Sequence, residues 1–187
     1  MTVQPEPRII VEKDKGFQKG SNTMLQPKIM VMGVGNVLLS DEGLGVQFLT
    51  LLAQETLPDH VELLEGGTAG LELVHLIKEV DYLIIVDAVN AKDEPGAIFR
   101  FEPEDIRVMP SQFEVSFHQV GILEVLAMAN ILGNAPKTLI FGVQPKSLEM
   151  GLELTPEIQA VLPRVKELVL EEIQNITQHG EFRQVNS

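Results

Sequence analysis

The chain has 187 residues, 44% of them hydrophobic, which is enough to bury a sizeable core within one folded domain. Its net charge of −13 opposes binding to nucleic acid or to an anionic membrane, because both partners carry negative charge. The absence of cysteine excludes disulfides, thiol nucleophiles and thiolate metal ligands, so a metal site would need His, Asp, Glu or backbone oxygen.

The two ends of the chain lack sustained periodicity. Residues 1–26 mix charged residues with Pro and Gly, and we expect an extension there. We expect the folded domain to span residues 27–178, and residues 179–187 to form a loose tail. The first residues lack the apolar segment of a secretory signal, and no apolar run approaches the roughly 20 residues that span a bilayer. These features predict a cytoplasmic protein.

Apolar runs and helical periodicity alternate along the domain. Short apolar runs predict strands over residues 28–33, 61–64, 82–87, 97–101 and 138–143, the fourth at an edge. Helical spacing predicts helices over residues 44–52, 71–77, 120–129 and 156–174. The alternation predicts a single three-layer α/β domain, with a mostly parallel, doubly wound, five-stranded sheet and helices on both faces.

Polar and glycine residues follow the predicted strands. Ligands of a doubly wound sheet lie outside the carboxyl ends of its strands, so we expect these residues to meet at one edge. They are Gly35, Asn36, Asp41 and Glu42 after the first strand, Glu65, Gly66, Gly67 and Thr68 after the second, Asp87 ending the third, and Gln144 and Pro145 after the fifth.

The first of these loops, GVGNVLLSDEGLG at residues 33–45, begins like a dinucleotide-binding turn but does not complete it. Leu38 stands where the third glycine of Gly-x-Gly-x-x-Gly would allow close helix packing. Asp41 and Glu42 would also repel a pyrophosphate. A P-loop is excluded because no Gly-Lys-Ser/Thr follows. We therefore expect this loop to hold something other than a phosphate.

Three candidates for chemistry stand out at this edge: Glu42, Asp87 and His118, the last expected in the loop before the third helix. Two carboxylates and an imidazole from separate loops suit a divalent transition metal with open positions, and they also suit acid–base catalysis. Each residue has a structural alternative. Asp41, and less readily Glu42, would complement the dipole of the following helix, Asp87 would cap a turn, and His118 would bond a helix end. These residues alone leave a metal site and an acid–base site open.

Five motifs in this order resemble those of the nickel-iron hydrogenase maturation endopeptidases. They are GVGNVLLSDEGLG at 33–45, EGGTAG at 65–70, YLIIVDA at 82–88, SFHQVG at 116–121 and FGVQP at 141–145. The resemblance covers about residues 28–175 and does not include the N-terminal extension.

The resemblance implies a hydrolase of peptide bonds, in a family classed as aspartic-type. Such an enzyme removes a C-terminal peptide from the precursor of a hydrogenase large subunit after nickel insertion. The resemblance further implies that Glu42, Asp87 and His118 contact the nickel and act in catalysis. The nickel would be carried mainly by the substrate, as a recognition element more than a cofactor of the enzyme.

The same resemblance implies a set of loop residues that face the substrate. They are Gly35, Asn36, Asp41, Gly66, Gly67 and Thr68. The family often has Asp before the Gly-Gly pair, where this chain has Glu65, which adds a methylene at the rim. A dyad of two Asp sharing a proton is not supported, because Asp41 and Asp87 have no symmetric sequence context.

Two other functions remain as alternatives at this point. The first is a nucleotide- or metal-binding α/β module without peptidase activity. The second is a family member that acts as a non-catalytic chaperone, which the intact Glu, Asp and His argue against. For the peptidase, the sequence also leaves open whether a carboxylate activates the attacking water or the metal does.

Overall fold

A computed structural model of the chain describes residues 26–67, 73–108 and 117–183, with the side chains of all of them except 107, 108 and 117–120. The strands are β1 (Ile29–Val34), β2 (Val61–Gly67), β3 (Tyr82–Ala88), β4 (Ile98–Phe101) and β5 (Lys137–Val143). The helices are α1 (Leu44–Leu52), α2 (Val74–Ile77), α3 (Phe117–Ile131) and α4 (Pro156–His179). Short 3-10 helices span Ser40–Gly43 and Pro103–Val108.

The strands form one five-stranded sheet in the order β2-β1-β3-β5-β4. Its first four members are parallel, and β4 lies antiparallel to β5 at the edge. The predicted α/β class, with a mostly parallel five-stranded sheet, is confirmed. The chain continues from β1 to β2 on one side of the sheet and from β3 to β4 and β5 on the other, so the loops that follow β1 and β3 flank a topological switch point at the carboxyl edge.

Helices cover both faces of the sheet. The central strands β1 and β3 are buried at every residue, as their continuous apolar runs predict. Alternate residues such as Val31 and Ile84 pack with α1 and α4 on one face. Met32 and Ile85 pack with α2 and α3 on the other. Within the described ranges, no helix is both long and apolar enough to cross a membrane.

Two glycines let α1 begin directly over the sheet. A Cβ atom on Gly45 would lie 2.3 Å from the Val34 carbonyl oxygen and 2.4 Å from that of Val86. A Cβ atom on Gly33 would lie 2.1 Å from the Gly45 carbonyl oxygen. Backbone contact of this closeness is possible only for glycine, and it holds the loop between β1 and α1 against the ends of β1 and β3.

Several predicted boundaries differ from the structure. The strand β2 continues through Gly66 and Gly67 instead of ending before them, with an irregular register against Gly33 and Val34. The helix α3 begins at Phe117, so His118 lies in its first turn and the expectation of a loop position is wrong. The helix α2 forms one turn only, and residues 71 and 72 lie outside the described residues.

The expectation of a loose tail from His179 onward is wrong for residues 179–183. The helix α4 runs to His179 and ends at Gly180, whose φ of 69° is the left-handed conformation typical of a helix C-terminus. The Tyr82 hydroxyl donates to the Gly180 carbonyl, and the Phe182 ring meets the Tyr82 ring edge-on at 5.4 Å. Local periodicity cannot detect these partners, because Tyr82 belongs to β3. Residues 184–187 and 1–25 lie outside the described residues.

Candidate active site

The residues predicted to act in chemistry lie on elements that meet at the carboxyl edge of the sheet. Glu42 lies on the 3-10 helix that follows β1, and Asp87 is the penultimate residue of β3. His118 lies in the first turn of α3, and its side chain is outside the described part of the molecule. Among the described side chains, no three His, Asp or Glu are placed together so that they could hold a metal ion. A metal site formed by Glu42, Asp87 and His118 therefore stays a prediction.

A tight turn after β1 presents Glu42. Gly35 has a φ of 135°, and a Cβ atom there would lie 1.8 Å from the Glu42 carbonyl oxygen. The Asn36 side-chain oxygen accepts a hydrogen bond from the Leu38 amide at 3.0 Å, and its carbonyl accepts one from the Leu39 amide at 3.1 Å. Gly35 and Asn36 therefore shape the turn that leads to Glu42, and their contact with a substrate stays a prediction.

Asp87 is a buried carboxylate with apolar neighbours. Its side chain is only 2% exposed, and its Oδ1 accepts a hydrogen bond from the Ala88 amide at 2.8 Å. Together with it, Ile85, Ile106, Ile122, Leu123 and Ile140 line a small cavity. Glu42 is half-buried, with its Oε2 atom shielded from solvent. A cation at this edge would interact with these carboxylates more strongly than in bulk water, because burial lowers the effective dielectric constant.

Asp41, next to Glu42, is a structural anchor. It is fully buried, and its carboxylate accepts hydrogen bonds from the amides of Lys146 and Ser147, both at 2.9 Å. The amide and hydroxyl of Thr155 donate to it at 2.7 and 2.9 Å. These partners all belong to residues 146–155, so Asp41 ties that segment to the 3-10 helix before α1, and the expected interaction with the α1 dipole stays a prediction. The Thr155 amide reaches Oδ1 and the other three donors reach Oδ2, so both oxygens take part in this anchor.

Gln144 is expected at this edge from its place after β5, and the structure gives it a role that the sequence does not indicate. It is 6% exposed, and its Oε1 accepts hydrogen bonds from the amides of Ala91 at 2.8 Å and Asp93 at 3.2 Å. Its Nε2 donates to the Pro145 carbonyl at 3.1 Å and to Asn90 Oδ1 at 3.4 Å. Gln144 thereby holds the loop that leaves β3 just after Asp87. The detectable signal was a polar residue directly after the apolar run of β5.

The end of β2 lies at the same carboxyl edge of the sheet. Glu65 pairs in register with Gly33 and is exposed. Gly66 is buried, and a Cβ atom on it would lie 3.0 Å from Met32 Cγ and Sδ. Gly66 therefore has a packing role against β1. Gly67 is the last residue of β2, and Thr68 lies outside the described residues, so their contact with substrate stays a prediction.

Comparison with known proteins gives a consistent set of relatives. Residues 46–172 match the HycI family of hydrogenase maturation proteases. The chain is 42% identical over 146 residues to the hydrogenase 2 maturation protease of Escherichia coli K12, covering 76% of this chain and 88% of that one. It is 38% identical over 148 residues to the hydrogenase expression/formation protein HupD of Thiocapsa roseopersicina, covering 78% and 67%. The structure of the E. coli hydrogenase maturating endopeptidase HybD superposes with a TM-score of 0.73 at 40% identity, covering 79% and 93%.

Proposed function

The chain belongs to the hydrogenase maturation protease family, and we propose that it removes a C-terminal peptide from a nickel-loaded large-subunit precursor of a nickel-iron hydrogenase. As a member of this family it is a hydrolase acting on peptide bonds. The observation that carries the proposal is the 42% identity to a hydrogenase 2 maturation protease over 76% of the chain. The buried Asp87 carboxylate, at the sheet edge where Glu42 is presented, supports it.

Nickel enters this proposal as part of the substrate. Glu42 and Asp87 would contribute carboxylate oxygens, and His118 would contribute an imidazole nitrogen, a donor set that suits a divalent transition metal. Three protein ligands leave coordination positions for the groups of the precursor that already hold the ion. A loaded precursor then gains contacts that an empty one lacks, so the enzyme distinguishes the two by their difference in affinity.

Hydrolysis needs water at the scissile carbonyl beside the bound nickel. The water oxygen attacks the carbonyl carbon, the carbon–nitrogen bond breaks, and a proton passes to the departing amine. Asp87 or Glu42 would accept the proton of the water as general base. The alternative is that the nickel of the substrate polarises the carbonyl or lowers the pKa of the water. Glu42→Gln and Asp87→Asn each keep the shape of the side chain and remove its charge, so cleavage by the two variants tests the need for each carboxylate.

The decisive experiment is mass spectrometry of a cognate large-subunit precursor after incubation with the enzyme. Nickel-loaded and nickel-free precursors are treated in parallel. We expect the loaded precursor alone to lose a C-terminal peptide. Loss from both would retain the peptidase and remove nickel as the recognition element. Loss from neither would contradict the proposed function.

We also propose a cytoplasmic site of action and a partner set without nucleic acid. A maturation protease acts where its precursor substrate is made, which supports the cytoplasmic site. The net charge of −13 opposes binding to a phosphate backbone. The protein partner of this proposal is the large-subunit precursor itself. Fractionation of cells with an antibody against the chain would test the location.

A further inference from the structure

Five large apolar side chains are exposed on two neighbouring segments beside the candidate site. We call this surface the apolar patch, formed by Val37 (39% exposed), Leu38 (57%), Leu148 (47%), Met150 (88%) and Leu152 (69%). It accounts for five of the nine large hydrophobic residues that are strongly exposed in the described ranges. Single exposed apolar residues are ordinary, whereas a concentrated patch marks an interaction surface.

Backbone pairing joins the two segments into one surface. Leu39 and Gly151 form a parallel bridge, in which the Ser40 amide donates to the Gly151 carbonyl at 2.8 Å. The Gly151 amide donates to the Leu38 carbonyl at 3.0 Å. The bridge therefore brings the backbone at Leu38 and Leu39 beside the backbone at Gly151. The two segments that carry the exposed apolar side chains are therefore adjacent.

Side-chain hydrogen bonds hold the two segments of the patch in place. The Asp41 carboxylate ties residues 146–155 to the loop that carries Val37 and Leu38, through its bonds to Lys146, Ser147 and Thr155. Gln47 Nε2 adds a hydrogen bond to the Leu152 carbonyl at 3.3 Å. The fold thus holds these apolar side chains in water, instead of letting the segments turn inward. A pre-organised apolar surface loses little entropy when a partner covers it.

The patch lies close to the candidate site in the chain, because Leu38 and Glu42 belong to the same short loop. Its rim is acidic: Glu149 and Glu153 are exposed, and the whole chain carries a net charge of −13. An apolar centre with a charged rim is the usual anatomy of a protein interface. The complementary partner has an apolar surface with basic residues around it.

We propose that the apolar patch docks the large-subunit precursor, through an apolar, basic-rimmed surface next to the scissile segment. This inference rests on the proposed function, since it identifies the surface that recognises the same substrate. Met150, the most exposed member of the patch, has a flexible and polarisable side chain that adapts to a partner surface. Docking here would hold the C-terminal segment of the precursor beside Glu42.

The test compares two matched double variants on the nickel-loaded cognate precursor. The patch variant is Met150→Ser/Leu152→Ser, and the control is Ile131→Ser/Leu132→Ser, with side chains 77% and 58% exposed at the end of α3. Cleavage kinetics give KM and kcat, and titration of the precursor gives Kd independently of cleavage. We expect the patch variant to raise KM and Kd about tenfold with kcat changed less than about twofold, and the control to match the unmodified chain.

Each outcome bears separately on docking and on the proposed function. Normal cleavage with equal KM and Kd for both variants would overturn the docking surface and leave the peptidase intact. If the unmodified chain binds the precursor without cleaving it, the peptidase is overturned. The Kd of the patch variant compared with that of the control variant then still tests the docking surface. Neither binding nor cleavage would overturn both. Light scattering completes the set: self-association lost in the patch variant, with the precursor Kd unchanged, would identify a second copy as the occupant and overturn the proposal.

The acidic rim is tested in the same titration. Glu149→Gln/Glu153→Gln should raise Kd about threefold at low salt and reduce the dependence of Kd on salt, because the variant loses attraction to a basic surface. An unchanged salt dependence would overturn the basic rim assigned to the partner.

Discussion

Asp41 and Glu42 are adjacent acids with separate structural positions. The Asp41 carboxylate has no exposed surface and accepts its four hydrogen bonds from residues 146–155. Glu42 is half-buried on the same 3-10 helix, at the edge where Asp87 lies one residue before the end of β3. The short helix therefore uses one carboxylate to hold the loop and leaves the next for the candidate site.

Asp41→Ala should destabilise the fold. The substitution leaves three backbone amides and a hydroxyl buried without their acceptor, at a cost of about 3 kcal/mol in the free energy of unfolding. Urea unfolding measures the difference. Asp59→Ala is the matched control, since Asp59 is exposed, and we expect a change within about 0.5 kcal/mol. Equal stability of the two variants would contradict the anchor assigned to Asp41.

Glu42→Gln should abolish most activity while the protein stays folded. Loss of a general base or of a charged ligand lowers kcat/KM by about 100-fold or more. Cleavage of the nickel-loaded precursor gives the rate, and circular dichroism checks the fold. Glu62→Gln, at an exposed position of β2, is the control with the same chemical change. Full activity in Glu42→Gln would remove Glu42 from the catalytic set.

At the scale of elements, the contact between α1 and the sheet positions the loop of the candidate site. Gly45 is the second residue of α1, and its Cα packs against the carbonyl groups of Val34 and Val86. These two residues belong to β1 and β3, the strands whose ends form that edge. The turn from Gly35 to Glu42 lies between these contacts. Packing at the first turn of α1 therefore determines where Glu42 lies.

Gly45→Ala should reduce both stability and activity. Its new methyl group would lie 2.3 to 2.5 Å from three backbone atoms, so α1 has to move away from the sheet. We expect a loss of about 3 kcal/mol, from overpacking against backbone that cannot yield. Gly133→Ala is the comparison: its φ of 82° costs about 1 kcal/mol, but a methyl group there meets no atom within 4 Å. Thermal unfolding and precursor cleavage report the two effects, and equal losses in both variants would refute the close contact.

At the scale of the whole molecule, a buried ion pair joins β4, α4 and the residues after α4. The Glu172 carboxylate is fully buried and accepts hydrogen bonds from Arg100 Nε at 2.9 Å and from the Arg183 amide at 2.8 Å. The Arg100 guanidinium also donates to the Arg183 carbonyl at 2.8 Å. This group connects the antiparallel edge strand to the end of the domain.

Glu172→Gln should lower the free energy of unfolding by about 2 kcal/mol, because a buried charge-assisted hydrogen bond is weakened and Arg100 loses its counter-charge. Guanidinium chloride is unsuitable because it screens charge, so urea unfolding is the measurement. Glu167→Gln provides a control on the same helix, where the pair with Arg164 is exposed and contributes less than about 0.5 kcal/mol. A smaller effect at Glu172 than at Glu167 would contradict this assignment.

The strand and helix periods are local properties, and the sequence determined the fold class through them. Continuous apolar runs identified β1, β3 and β5 as strands, and helical spacing located α1 with the bounds that the structure has. Five ordered motifs indicated the family, which the comparisons confirm as that of hydrogenase maturation proteases. The parallel sheet then followed, because strands that alternate with helices return to the same edge.

Only the tertiary structure decided which polar residues hold the edge together. The partners of Asp41 are 105 to 114 positions away in the chain, and those of Gln144 are up to 54 away. The two segments of the apolar patch are as far apart in sequence as Asp41 and its partners, and a single backbone bridge between Leu39 and Gly151 brings them together. Local spacing carries no information on such contacts, because the sheet brings distant strand ends to one place. The sequence therefore determined which elements form and which residues end them, and packing of those elements decided what each carboxylate and each apolar side chain faces.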